Sequence, residues 1–352
     1  MRAFTYEPPP SRVIFGRDAF DVLAVEVARL GARRVLVLST PGRRADAELA
    51  SNRLGLLSAG VFAEAAMHVP IETARAARAA AARLGADACV AIGGGSTIGL
   101  AKAIALESTL PIVAVPTTFA GSEMTAIYGL TEAGVKRTGR DPRVLPKTVL
   151  YDPALTLTLP ARLAATSGMN ALAHCVEALY APDGNPVTSL LATEGIRALS
   201  RSLPRVIEDA KNIDACADAL YGAWLAGMSL NATSMSLHHK LCHTLGGTFN
   251  LPHAEVHTVV LPQAVRFNRE AAAVAMRTAA DALGAADAAL GLFDLAVRLG
   301  APVALKDIGM PADGLDRAAR LATEHPYANP RPIDFAGVRD LLERAYCGVR
   351  PT

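Results

Sequence analysis

Apolar and polar positions change rhythm once along this chain, near Pro160. Up to Leu159, short near-continuous apolar runs (RRVLVLST, ACVAIGGGS, PIVAVPTT, TVLYDP) alternate with Ala-rich stretches such as ARAARAAAARLGA and GLAKAIALES. Strands apolar on both faces, separated by helices, predict a parallel sheet covered on both sides. After TLTLPARL the strand signal fades. ALAHCVEALYA, VTSLLATEGIRALSRSLPRVIEDA, ACADALYGAWLAGMSLNAT and DAALGLFDLAVRLGA carry apolar residues at helical spacing. The pattern therefore predicts an α/β domain over 1–159 and an all-helical domain over 160–352. No low-complexity linker or internal repeat separates them. Two such halves are expected to enclose a cleft, with a ligand at the carboxyl ends of the strands.

The turns that end two of those strands add chemistry. IGGGSTIGLAK follows a strand and opens a helix. Gly94 and Gly95 let the backbone approach a ligand, and the helix start offers free N–H groups to an anion. Ser96 either caps that helix or meets a phosphate oxygen. PTTFAGSEMT follows the next strand and supplies Thr117, Thr118, Phe119 and Ser122 at the same sheet edge. Together the two loops form a candidate cradle for a nicotinamide dinucleotide, which makes the first domain Rossmann-like. The VLVLS strand ends in Thr40, followed by Arg43 and Arg44, with no acidic residue to repel a 2′-phosphate. NADH or NADPH is thus the expected cofactor, unless these residues form only a solvated turn.

Composition narrows the classes. The chain is 51% hydrophobic and 19% charged with net charge +2, which gives no reason to expect nucleic acid or a membrane surface as partner. Its apolar runs fall well short of the roughly 20 residues that span a bilayer, and MRAFTYEPPPSR lacks a signal-peptide core. Cys89, Cys175, Cys216, Cys242 and Cys347 are scattered and odd in number, as expected for reduced thiols in the cytoplasm. Cys242 is either packed or partly accessible in the cleft.

SLHHKLCHTLGGTFNLPHAEVH, from Ser236 to His257, holds five of the eight histidines. His239 and His243 stand at i, i+4 on one helical face, a spacing suited to two ligands of one ion. His238 points about 100° away from that face, and His253 is expected to open the next helix. Asn170 and His174 form a second i, i+4 pair.

GGGSxxxxAK, PTT followed by GSE, YDP with TLTLP, GMxALxHxxEA and HxxxHxLGGxxNxPH together resemble the iron-containing alcohol dehydrogenase family over nearly the whole chain. The resemblance implies a dinucleotide domain, a helical domain, a nicotinamide cofactor and a homodimer. In that family one Asp and three His hold a divalent metal. The matching positions here are Asn170, His174, His239 and His253, with His243 matching a histidine beside the nicotinamide.

Three departures stand out: Asn170 where the family has its anionic ligand, Gly99 where it commonly has Asp, and a shortened PTTFAGSE loop. With the KRTG stretch from Lys136 to Gly139, they resemble one branch of the family, the maleylacetate reductases. That branch implies NAD(P)H-dependent reduction of a conjugated C=C in a small dicarboxylate, in aromatic-compound catabolism and without metal. His243 is then the expected acid or oxyanion partner, with His174, His239 and His253 forming a polar cage. Lys136 and Arg137 are the foremost substrate cations, beside Arg140, Lys240 and Arg331. Two other readings stand next to it: a metal-dependent alcohol dehydrogenase in which Asn170 still binds the ion, and a non-catalytic dinucleotide-binding protein.

Overall fold

The computed structural model describes residues 4–9, 11–132 and 135–352, without the side chains of Val135 and Lys136. Contacts divide the chain into two units, one spanning Pro9–Leu159 and the other Pro160–Thr352 together with the residues before Pro9.

The first unit contains, in chain order, β1 (Arg12–Phe15), α1 (Leu23–Arg29), β2 (Val35–Leu38), α2 (Arg44–Leu54), β3 (Ser58–Phe62), α3 (Ile71–Arg83), β4 (Ala88–Gly93), α4 (Gly95–Ser108), β5 (Ile112–Pro116), β6 (Ile127–Glu132), β7 (Val135–Arg140) and β8 (Thr148–Tyr151). Six strands form one sheet in the order β1-β8-β5-β4-β2-β3, and every neighbouring pair is parallel.

Side-chain alternation explains the two covered faces. Leu36, Leu38, Cys89 and Ala91 point to one side, into a core with Ala74, Ala77, Ile98 and Ile104 of α3 and α4. Val35, Val37, Val90 and Ile92 point to the other, against Leu23, Val27, Ala47 and Ala50 of α1 and α2.

The VLVLS run is the second strand of the chain: β1, which the apolar pattern did not announce, precedes it and pairs with β8. β3 was not expected either: it is a half-buried edge strand interrupted by Gly60 at φ +149°, so its apolar pattern is weak. β6 and β7 form a separate antiparallel hairpin, and IYGLTE and VKRTGR are too polar to read as sheet core.

The second unit is helical: α5 (Ala161–Ala178), α6 (Pro186–Glu208), α7 (Ile213–Ala232), α8 (Leu237–Phe249), α9 (His253–Asn268), α10 (Ala273–Leu283), α11 (Ala288–Arg298), α12 (Leu315–Thr323) and α13 (Phe335–Cys347). Asn185 and Thr188 build a capping box at the start of α6, with Pro186 at its first position. Helix α5 is buried from Ala164 to Ala178, so polar residues on it must find partners inside the protein. Leu237, Leu241 and Leu245 of α8 share one core with Val256, Val260 and Ala264 of α9 and with α12 and α13. Asn250, at φ 53°, ends α8, and α9 begins at His253 after two intervening residues. Among the described residues no helix is long and apolar enough to cross a membrane.

Candidate active site

Three helices of the second unit bring the imidazoles together. α5 supplies Asn170, His174 and Glu177; α8 supplies His238, His239, Cys242 and His243; α9 supplies His253 and His257. Asn170, His174, His239 and Glu177 are all buried and stand in a row. Asn170 Nδ2 lies 3.4 Å from His174 Nε2, His174 Nδ1 lies 2.9 Å from His239 Nε2, and His239 Nδ1 lies 2.5 Å from Glu177 Oε2. His243 is half-buried, its ring centroid 6.2 Å from that of His239 and 6.4 Å from that of His253. Of the four histidines singled out in the sequence, His243 and His253 thus retain solvent exposure, whereas His174 and His239 are enclosed.

Sequence reasoning passed over Glu177, the carboxylate at the centre of this network. It is 0% exposed and accepts the backbone N–H groups of Ser236 and His238 as well as the Tyr180 hydroxyl. Burial would raise its carboxyl, but the neighbouring His239 and the hydrogen bond from it, with His238 and the Ser236 N–H, hold it down at about 2. A usable signal was present: a glutamate amid the apolar run ALAHCVEALYA must be paired if the helix is buried.

His238 and His257 were set aside or unused, and both are fully buried. They join each other, His238 Nε2 to His257 Nδ1 at 3.0 Å, with Cys242 Sγ 3.6 Å from His238 Nε2. Cys242 is therefore packed, which decides between the two options left open for it. Burial, then repulsion from His239, pushes His238 down to about 3. Burial and the neighbouring imidazoles likewise hold His257 well below the ordinary histidine range. Both rings stay neutral at working pH and cannot serve as acids. His257 Nε2 and Asn170 Oδ1 are buried without a hydrogen-bond partner among the described residues.

In the first unit the chain runs from β2 outward to β3 and then returns to β4 on the other side of β2. This reversal is the topological switch point, where α/β sheets bind ligands, and Thr40 and Gly94 leave the two strands that flank it. The glycine loop and the PTT loop pack directly: a Cβ on Gly94 would come within 2.8 Å of Thr118 Cγ2. Gly94 is the residue that caps α4, with Gly95 at its start, so Ser96 sits in the first turn and is not the cap. Gly94, Gly95, Ser96, Thr118, Ser122 and Thr40 are at least partly exposed, whereas Thr117 and Phe119 are buried. Arg43 is occupied by Thr158 and Asp46, while Arg44 is exposed.

Beneath these loops lies a polar set that the sequence did not reveal. Lys102 Nζ donates to Ser122 O at 2.7 Å, Ile127 O at 2.8 Å and Thr125 Oγ1 at 2.9 Å. Burial, partly offset by Glu123, pushes Lys102 down to about 7. Glu123 is raised by burial and accepts the Tyr151 hydroxyl at 2.7 Å. These are the Lys, Glu and Tyr of the AK, GSE and YDP motifs, and they fix backbone beneath the PTT loop.

Of the candidate cations, Arg137 is exposed on β7, and the side chain of Lys136 lies outside the described residues. Arg331 stacks on Phe267, 4.1 Å from its ring centroid, a structural engagement. Lys240 is half-buried on α8 between His239 and His243.

A parallel sheet with paired phosphate-suited loops at its switch point, in one chain with a helical unit enclosing a row of imidazoles, defines an oxidoreductase of the dehydrogenase class. Comparison with known proteins agrees. The model of the iron-containing alcohol dehydrogenases matches residues 10–153, and the C-terminal model of the Fe-containing alcohol dehydrogenase family matches 164–346. The chain belongs to the iron-containing alcohol dehydrogenase family. It is 58% identical to the maleylacetate reductase of Burkholderia cepacia over the full length of both. Solved maleylacetate reductases from Agrobacterium tumefaciens and Rhizobium sp. strain MTP-10005 share its fold at TM-scores of 0.95 and 0.94, with 52% and 50% identity and complete coverage of both chains.

The family implies a divalent metal, and its ligand positions here do not fit one. The donors are a neutral amide and three imidazoles, with no carboxylate among them. His174 and His239 are directed at each other. Among the described residues, the set of His, Cys or acidic side chains whose ligand atoms come within 4.8 Å of one another is His238, Cys242 and His257, not the family's trio.

Proposed function

We propose that this protein is a maleylacetate reductase that uses NADH or NADPH and needs no metal. The observation that carries the reading is full-length identity of 58% with a maleylacetate reductase; the chemistry of the imidazole site agrees with it.

Reducing a simple carbonyl to an alcohol develops localised alkoxide charge, which a Lewis-acidic metal stabilises directly. In maleylacetate the C=C is conjugated to a ketone, so hydride from the cofactor adds to the carbon β to that ketone. The electron pair of the C=C moves into an enolate, whose delocalised charge hydrogen-bond donors can stabilise. A proton then goes to the carbon α to the ketone, giving 3-oxoadipate and the oxidised cofactor. His243 is the acid or oxyanion partner in this scheme, since it is one of the two rings of the group that keep exposure, beside His253, and histidine titrates near neutrality. His174, His239 and His253 shape the polar cage. The cofactor lies along Thr40, Gly94–Ser96, Thr118 and Ser122, with Lys136 and Arg137 meeting the substrate carboxylates, in a cytoplasmic homodimer.

The test is NADH oxidation by purified enzyme with maleylacetate, with and without EDTA, beside elemental analysis of the same sample. Rapid turnover by metal-free protein, unaffected by EDTA, is the expected result. One observation favours a second reading, a metal-dependent alcohol dehydrogenase: Asn170 Oδ1 is a buried acceptor with no partner among the described residues. Stoichiometric metal with EDTA-sensitive alcohol oxidation would establish that alternative.

A further inference from the structure

We propose that Asn170 and Glu177 terminate a directional hydrogen-bond row in which two neutral imidazoles and one amide supply every proton required, leaving no place for a divalent ion. The inference rests on the metal-free reading above and gives it a cause.

The row has three contacts: Asn170 with His174, His174 with His239, and His239 with Glu177. Each needs one proton. Glu177 already accepts from Ser236 N, His238 N and Tyr180 Oη, and as a carboxylate it can only accept. His239 must therefore carry a proton on Nδ1. At the other end Asn170 presents Nδ2, a donor, to His174 Nε2, so His174 accepts there and donates from Nδ1 to His239 Nε2, which leaves each ring with one proton. With both rings neutral, the far end of the row has to be a donor.

An amide can fill that position and a carboxylate cannot. Two neutral rings bring two protons, and Asn170 Nδ2 brings the third. With aspartate at 170, both ends would be acceptors and the same three contacts would be one proton short. A cation would then have to supply the missing charge, either as an extra proton or as a metal ion. Asn170 thus removes an anionic ligand and, in the same change, satisfies the proton count of its neighbours. The orientation also turns Asn170 Oδ1 away from His174, consistent with its lack of a partner among the described residues.

The experiment compares chelator-treated wild type with Asn170→Asp by Co²⁺ titration, reading visible d–d absorption and bound metal per protomer. Asn170→Asp is expected to bind Co²⁺ more tightly than wild type, by at least the ~10–100-fold that altering even an outer partner of a metal ligand changes affinity. Equal affinity in the two proteins would overturn the proposal, as would tight Co²⁺ binding by wild type. A second arm needs no variant: ¹⁵N spectra of histidine-labelled wild type should show His174 and His239 both as neutral Nδ1–H tautomers. His239 protonated on Nε2 alone would overturn the row. These readouts are independent of turnover. Gain of Co²⁺ affinity without maleylacetate reduction would sink the reductase reading alone, whereas metal-free reduction without that gain would sink the row alone.

Discussion

Each unit of this protein buries a polar set, and the two sets are built differently. In the α/β unit, Lys102 points all three of its contacts at a single segment, Ser122 to Ile127. In the helical unit, side chains from three separate helices face one another, and Asn170 Oδ1 and His257 Nε2 find no hydrogen-bond partner among the described residues. The first arrangement aims its donors at one loop of its own unit, although Glu123 Oε2 beside it is also buried with no hydrogen-bond partner among the described residues. The second aims side chains of different helices at one another. Both are fully buried, so burial alone does not separate scaffold from active site; the direction of the donors does.

The contrast predicts where mutations act. The largest effect should follow His243→Ala, with turnover on maleylacetate falling by about 10²-fold or more, the scale of a lost general acid. Cofactor affinity, read by fluorescence titration, should hardly change. Full turnover in that variant would remove His243 from the chemistry.

Gly94→Ala should fall next, with the opposite signature. Its new Cβ meets Thr118 at 2.8 Å, an overpacking worth about 1–3 kcal/mol. Weaker NADH binding with the imidazole site intact is the expected outcome, checked by binding isotherms and thermal melts. Unchanged binding would take the two loops out of the cofactor site.

Lys102 gives the pair a pH test. Its folded value is about 7 against an ordinary 10.5, so between those values the unfolded chain binds more protons than the folded one. Stability contributed through this residue therefore rises with pH across that window and is least below about pH 7. Melting curves of wild type and Lys102→Met from pH 7 to 10 should diverge in favour of wild type as pH increases. Parallel curves would mean that Lys102 stays charged in the folded protein.

The smallest effect belongs to Arg43→Ala. The guanidinium is already tied to Thr158 and Asp46, so the ratio of NADPH to NADH efficiency should stay within scatter, whereas Arg44→Ala should lower it. A clear loss of NADPH use in Arg43→Ala would return the 2′-phosphate role to Arg43.

How far the sequence could be read follows the same division. The buried strands VLVL, ACVAIG and IVAVP and the long helices announce themselves because burial on both faces leaves an uninterrupted apolar record. β3 and the β6–β7 hairpin leave none, since half-exposed strands with Gly, Thr and Lys look like loops. Within the site, the i, i+4 spacing exposed Asn170 with His174 and His239 with His243. Glu177, His238 and His257 escaped because their partners lie on other helices, 19 to 62 residues away in sequence. Spacing along one helix carries no trace of such contacts.

The distribution of thiols has a practical consequence. Cys89, Cys175, Cys216 and Cys242 are buried, whereas Cys347, at the end of α13, is exposed. The native chain thus carries one ready conjugation handle, together with a sole tryptophan, Trp224, on α7. Both belong to the helical unit. A maleimide acceptor dye on Cys347, excited through Trp224, would report energy transfer within that unit as it unfolds, with no engineered cysteine and with the imidazole row untouched.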